Sequence, residues 1–282
     1  MYYQMIGFMN DGGDPALDCL PALDPARTAY YLDFDGVLVD LAETPDAIEV
    51  AEHLPRLLTD LSEAAGGAVA LVSGRAVADI RRHLPGWRGT VVGSHGGEID
   101  RGDGPEALID VDPDTVAAIT RMVDGFAASD PAYIAEPKPT GVVLHFRRKP
   151  ELRGAAWQML EHTLSQFGGF HIHHSKMAFE VRPDGVGKEN AVAALSREAP
   201  FEGRTPVFFG DDVTDEPAMA WATGEGGHSV KVGEGTSCAS CRLPDVPAVH
   251  KALARQLSGA PRRPEPEAGP ADGPRPREEA GS

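Results

Sequence analysis

Cysteine is scarce in this chain of 282 residues, and so is positive charge. Cys19, Cys238 and Cys241 form an odd, sparse set that offers no disulfide framework. Cys238-Ala-Ser-Cys241 is a lone C-x-x-C without a second pair or a nearby histidine pair, so ordinary loop cysteines are expected there rather than a structural zinc. Lys and Arg number 26 against 43 Asp and Glu, which leaves a formal net charge of -17. Nucleic acid and anionic membrane surfaces repel such a chain, so neither is expected as a partner. Long apolar runs are missing too: no segment approaches the length of a membrane span. Met1 to Asn10 lack a basic flank before their short apolar stretch, which argues against a secretory signal and makes a cytoplasmic location the expectation.

What is present centres on Tyr30-Tyr31-Leu32-Asp33-Phe34-Asp35-Gly36, a short apolar run that ends in two acids and a glycine. Alternate side chains of a strand share a side, so Asp33 and Asp35 address one point beyond the strand's end. Gly36 lets the backbone turn sharply there. Two carboxylates held that close repel unless a hard cation such as Mg²⁺ or a shared proton intervenes. Alone, the stretch reads equally well as a polar turn after a buried strand.

The surrounding pattern is that of a parallel α/β sheet. Helical spacing runs from Pro45 to about Ala65, and Gly66-Gly67 stops it. Ala68–Val72 and Thr90–Gly93 read as buried strands, with a helix from Ala76 to His83 between them. The grammar changes from about Gly104 to Pro183. Two units follow, each a helix plus two strands: Pro113–Ala128 with Tyr133–Glu136 and Gly141–Phe146, then Glu151–Phe167 with His171–His174 and Ala178–Arg182. Such units suggest an inserted α+β domain with one antiparallel sheet. Core-like elements resume with a helix at Lys188–Arg197, a strand at Pro206–Phe209, a helix near Asp215–Ala222, a strand at Ser229–Val232 and a helix at Val246–Leu257. The expected organisation is a loose lead-in over 1–28, a core formed by 29–104 and 183–258, an insert over 105–182, and a disordered Pro- and Gly-rich tail over 259–282.

Ligands of open parallel sheets bind beyond the carboxyl ends of the strands. Three apolar strands here end in reactive groups: Leu32 runs into Asp33 and Asp35, Val72 into Ser73, and Phe209 into Gly210-Asp211-Asp212-Val213-Thr214-Asp215-Glu216. These parts fit phosphoryl transfer through a carboxylate. One Asp attacks, splitting a hard hydrolysis into two easier steps, while a second moves protons. Ser73 and Lys188 are the candidates to hold phosphate oxygens, Lys188 standing at the start of a helix.

Asp33-Phe34-Asp35-Gly36, Ser73-Gly74-Arg75, Lys188 and Gly210–Glu216, in that order, resemble the four motifs of the haloacid dehalogenase-like phosphatases. The G-D-D-x-T-D-E form, Ser94-His95-Gly96-Gly97-Glu98 and the insert resemble the trehalose-6-phosphate phosphatase family in particular. The resemblance implies a Rossmann-like parallel-sheet core with an inserted α+β cap, Mg²⁺ as cofactor and a small sugar phosphate as substrate. It implies Asp33 as nucleophile, Asp35 as general acid/base, and Asp33, Asp211 and the Asp35 backbone carbonyl as metal ligands. Asp212 and Asp215 are expected to orient or cap, and Arg75 to touch substrate. The chain departs from the family pattern at Val37, where many relatives carry Thr, and at Glu189, where Gly is usual.

Within the insert, strand alternation sets His145 and Arg147 on one face opposite Val142, Leu144 and Phe146, and Glu180 with Arg182 opposite Phe179 and Val181. By the resemblance Lys138, His145, Arg147 and Glu180 hold the sugar, with Arg182 beside them. His171, His173 and His174 are not read as a metal site, because an oxygen-lined Mg²⁺ centre does not want them. His95 and Glu98 either touch substrate or shape their loop. The competing functions are a phosphatase for another sugar phosphate, such as sucrose phosphate, and a non-catalytic sensor or partner of a trehalose-phosphate synthase. The sequence does not set the oligomeric state, and a monomer is compatible with it.

Overall fold

The computed structural model describes residues 19–42, 47–109, 111–175 and 177–258. The expected tail at 259–282, the first residues Met1–Asn10 and most of the lead-in fall outside these residues. Strands β1 (Thr28–Leu32), β2 (Val69–Val72) and β3 (Thr90–Gly93) are buried at every position. So is almost all of β10 (Thr205–Gly210) and β11 (His228–Val232). Continuous burial is what a parallel strand covered by helices on both faces requires. The order is β12 (Cys241–Leu243), β11, β10, β1, β2, β3, β4 (Glu98–Asp100) and β5 (Pro105–Ala107), which puts β1 near the centre of eight strands. The α/β expectation therefore holds: a mixed, mainly parallel sheet with helices on its faces.

Three short strands escape sequence reading, β4 (Glu98–Asp100) and the two edge strands β5 (Pro105–Ala107) and β12 (Cys241–Leu243). Each has only three residues, too few to show a period, and β4 and β5 pair antiparallel where the rest of the sheet is parallel. The first helix also starts later than its spacing suggests. α1 covers Leu54–Ala64, with Pro55 in its first turn. Proline has no amide hydrogen to donate, so it suits a helix start and would break a helix begun near residue 45.

A second sheet, β6 (Ile134–Lys138), β7 (Gly141–His145), β9 (Ala178–Pro183) and β8 (Phe170–Ser175), is antiparallel throughout. Its apolar face, with Val142, Leu144, Phe179 and Val181, packs on Ile119 and Val123 of α3 (Pro113–Ala127) and on Ala156 and Leu160 of α4 (Arg153–Leu164). This is a core separate from that of the large sheet. The polar face alternates with it, as the sequence predicts.

Cys19 and Cys241 form a disulfide that joins the start of the described chain to edge strand β12. This corrects the expectation of unpaired loop cysteines. An odd count leaves one thiol over, Cys238, but says nothing about two cysteines 222 positions apart. No helix among the described residues is long and apolar enough to cross a membrane.

His250, on α7 (Val246–Ser258), points at the loop after β1. Its Nε2 lies 2.9 Å from the Leu38 carbonyl and its Nδ1 3.0 Å from His53 Nε2. A carbonyl only accepts, so Nε2 carries the hydrogen and Nδ1 accepts from His53. Burial first, and then His53, lowers the proton affinity of His250 against the opposing pull of Leu38 and Asp40. The unfolded chain therefore binds this proton at higher pH than the folded one. The stabilisation is present above the ordinary histidine range and is lost as pH falls through it. Urea midpoints are expected to fall between about pH 7.5 and 5.5, and less steeply in His250→Gln than in the parent.

Candidate active site

β1 ends at Leu32, and Asp33 still donates its amide to the Phe209 carbonyl of β10 at 2.9 Å. That bond seats Asp33 beside Gly210-Asp211, while Leu32 pairs with Leu71 of β2, two residues before Ser73. Lys188 arrives from the first position of α5 (Lys188–Leu195). Its ammonium stands 3.0 Å from Asp33 Oδ1 and 2.6 Å from Asp215 Oδ1. Burial works against the Lys188 charge, but Asp215 and Asp33 outweigh it and hold the group above the ordinary lysine range.

Asp215 is fully buried. Its Oδ2 accepts from the amides of Asp211 and Asp212, each at 3.1 Å. Asp212 caps the same turn, accepting from the Val213 amide at 2.7 Å. Asp215 therefore holds Lys188 and the Asp211 amide, while Asp212 closes the turn between them. Lys231 of β11 adds a bond to the Asp211 carbonyl at 2.8 Å, which sequence reasoning misses.

Oxygens of Asp33, Asp211 and Asp215 lie within 4.8 Å of one another. Burial, then the neighbouring Asp215, pushes Asp33 well above the usual carboxylate range. The same two causes push Asp211 up to about 6. Three acids around one lysine leave a deficit of positive charge, and a hard divalent cation relieves such a deficit. The donor set fits one. Both Asp215 oxygens are engaged, whereas Asp33 Oδ2 and the Asp211 carboxylate accept no hydrogen bond among the described residues.

Gly36 makes that approach possible. Its φ is +72°, and a Cβ there would run into the Asp211 carboxylate, whose own Cβ would be 3.0 Å away. Asp35, one residue earlier, is gripped by Arg75 through two bonds of 2.7 Å. Arg75 also binds Asp79 at 2.8 Å. Asp35 first, against burial, raises the Arg75 proton affinity. Arg75 thus holds Asp35 at the cavity wall. Ser73 is buried, and its Oγ accepts from the Arg75 amide at 3.1 Å.

These groups line a cavity of about 810 Å³ that Glu136 and Lys138 of the second sheet also border. Asp33, Asp35, Ser73, Arg75, Lys138, Lys188, Asp211 and Asp212 all face it. His145 does not line it, but its Nε2 pairs with Glu136 at 2.9 Å, and Lys138 forms an ion pair with the same carboxylate. Burial opposes the Glu136 charge, yet Lys138 and His145 lower its pKa below the ordinary value. Glu180 is on the same sheet face, paired across strands with Val143 and His173 and bonded to Arg182 at 2.5 Å. Arg147 lies elsewhere: β7 ends at His145, and Arg147 falls in an exposed turn where strand alternation no longer applies. Glu189 does not border the cavity either.

Against this geometry, a sequence model of the family described as trehalose-phosphatase matches residues 31–241. The chain belongs to the trehalose-phosphatase family. Trehalose-6-phosphate phosphatase of Escherichia coli K12 is 34% identical over 225 residues, 79% of this chain and 84% of that protein. A probable trehalose-phosphate phosphatase of Sinorhizobium fredii is 36% identical over 77% of this chain and 82% of its own length. Among solved structures, Aspergillus fumigatus trehalose-6-phosphate phosphatase superposes with TM-score 0.64 at 25% identity, over 85% of this chain and 99% of that one. A haloacid dehalogenase-like hydrolase of Bacteroides thetaiotaomicron shares the fold alone, with TM-score 0.58 at 16% identity over 81% and 98% of the two chains.

For a trehalose-phosphatase family member, two loop residues resolve differently. Glu98 accepts from the Val77 amide at 3.1 Å and from Ser94 Oγ at 2.7 Å, so it shapes the loop and the start of α2 (Val77–His83). His95 borders the cavity. Asp79 and Glu136, the partners of Arg75 and of the Lys138–His145 pair, carry no motif signal, because each is recognisable only through the residue it holds.

Proposed function

We propose that this chain is a Mg²⁺-dependent phosphatase that hydrolyses trehalose 6-phosphate to trehalose and phosphate through an aspartyl-phosphate on Asp33. Family membership makes it a phosphoric monoester hydrolase. The observation that carries the finer reading is Asp33, buried at the end of β1 with Lys188 at 3.0 Å and the Asp211 carboxylate beside it.

Asp33 attacks phosphorus, and the bond to the sugar oxygen breaks. Asp35, once it turns from Arg75 and takes up a proton from solvent, gives that proton to the sugar oxygen and then takes one from the water that attacks phosphorus, freeing phosphate and regenerating Asp33. Ser73 and Lys188 hold phosphate oxygens. Asp33, Asp211 and the Asp35 carbonyl would hold Mg²⁺, which supplies the charge neutralisation that three acids and a phosphate need.

We read the unit of the eight-stranded sheet as the catalytic core and that of the four-stranded sheet as a cap whose polar face, with Lys138, His145, Glu136 and Glu180, meets the sugar. A cytoplasmic setting suits a charged substrate that does not cross bilayers. The Cys19–Cys241 bond points the other way, since cytosolic thiols are held reduced.

Initial rates of phosphate release test this reading. Trehalose 6-phosphate is expected to be cleaved at least about tenfold more efficiently than sucrose phosphate or glucose 6-phosphate, a discrimination of the size a few sugar contacts supply. EDTA is expected to stop turnover and Mg²⁺ to restore it. Faster cleavage of another sugar phosphate, or turnover indifferent to EDTA, would overturn it.

A further inference from the structure

His95 stands where three parts of the fold meet. Its amide donates to the Ser73 carbonyl at 2.9 Å, and the Ser94 amide donates to that of Arg75 at 2.7 Å. The next residue, Gly96, lies against the Gly187 carbonyl, which a Cβ would approach to 2.6 Å; Lys188 follows directly. Gly97 lies against Thr140, in the turn between β6 and β7, with only 2.9 Å to spare for a Cβ. The loop thus touches the Ser73 motif, the Lys188 helix start and the second sheet together.

Its backbone is strained at two successive non-glycine residues, Ser94 at φ 49° and His95 at φ 56°. Such conformations are costly for residues with a Cβ and persist only where the surroundings over-determine them. The strain lays the imidazole over Gly74, whose missing Cβ leaves the room: one there would lie 2.5 Å from the ring. The ring borders the cavity, and its Nδ1 is buried with no hydrogen-bond partner among the described residues. Burial first, then Arg182, Lys188, His173 and Lys138, hold its proton affinity well below the ordinary histidine value. The ring is therefore neutral, with one N–H and one lone pair.

A neutral imidazole at the cavity wall offers a ligand hydrogen bonding without added charge. The phosphoryl group already has Ser73 and Lys188, and a neutral ring adds no charge toward it. A hydroxyl, which both donates and accepts, matches either tautomer. We propose that His95 is a specificity-determining residue whose imidazole hydrogen-bonds a hydroxyl of the sugar leaving group.

This assignment rests on the sugar-phosphatase reading above. Its test compares kcat/KM for trehalose 6-phosphate with that for p-nitrophenyl phosphate, whose leaving group has no sugar hydroxyls, in the parent chain, His95→Gly and His95→Asn. Gly and Asn both tolerate the left-handed backbone, so neither variant adds strain. The ratio is expected to drop about tenfold or more in His95→Gly. It should recover in part in His95→Asn, whose amide restores a neutral hydrogen-bonding group there, with inhibition by inorganic phosphate unchanged in both. Equal losses on the two substrates, an unchanged ratio, or weakened inhibition by phosphate would overturn the assignment. A parent chain that cleaves p-nitrophenyl phosphate but no sugar phosphate would sink the functional reading along with it. A parent active on sugar phosphates with a ratio indifferent to His95 would sink this assignment alone.

Discussion

Asp33→Asn is expected to lose turnover of trehalose 6-phosphate by roughly a thousandfold or more while remaining folded, because an amide cannot serve as the attacking carboxylate. The substitution keeps the shape of the side chain and its bond from the Phe34 amide, which Oδ1 now accepts at 2.7 Å. It also removes one of three crowded acids, and burial and Asp215 already disfavour the Asp33 charge. Thermal stability is therefore expected to hold or rise. A variant that is inactive and also unfolded would not fit, and neither would a folded one with undiminished rates. Phosphate release and a thermal melt, measured on the same preparation, check both halves.

Gly36→Ala is the second large effect, and it acts without touching a reacting atom. At φ +72° an alanine is strained by about 1–2 kcal/mol. Its methyl group also meets the Asp211 carboxylate, so either the loop after β1 or Asp211 must move. Both consequences fall on the site: Asp35 shifts with the loop, and the oxygens of Asp33 and Asp211 separate. Displacements near 1 Å cost about a hundredfold in rate, and a loss of that order is expected. The Mg²⁺ concentration for half-maximal activity should rise in parallel. A full rate at unchanged Mg²⁺ demand would show that Gly36 merely turns the chain.

Much of this arrangement is legible before folding. The strand ends carrying Asp33, Ser73 and Asp211 are readable because buried parallel strands are continuous apolar runs, and an acid or hydroxyl at the end of each breaks the run visibly. Lys188 is readable from its place at a helix start. The partners that hold these groups are not. That Arg75 also grips Asp35 and Asp79 is invisible in the sequence, because the three meet only in the fold. Glu136 is a plain strand acid until Lys138 and His145 converge on it. Arg147 illustrates the limit of alternation, which predicts faces only while the strand continues, and β7 stops two residues short of it. The Cys19–Cys241 bond and the His53–His250 pair join residues about two hundred positions apart, a distance over which periodicity carries no information.

The role of Asp33 is tested most directly by acid-quenching the enzyme during turnover of trehalose 6-phosphate and mapping any covalent phosphoryl group by mass spectrometry. The prediction is a phosphoryl group confined to the peptide that contains Asp33, acid-stable and hydroxylamine-labile as an acyl phosphate should be, and absent from Asp33→Asn. A phosphoryl group on another residue, or undiminished turnover by Asp33→Asn, would contradict it.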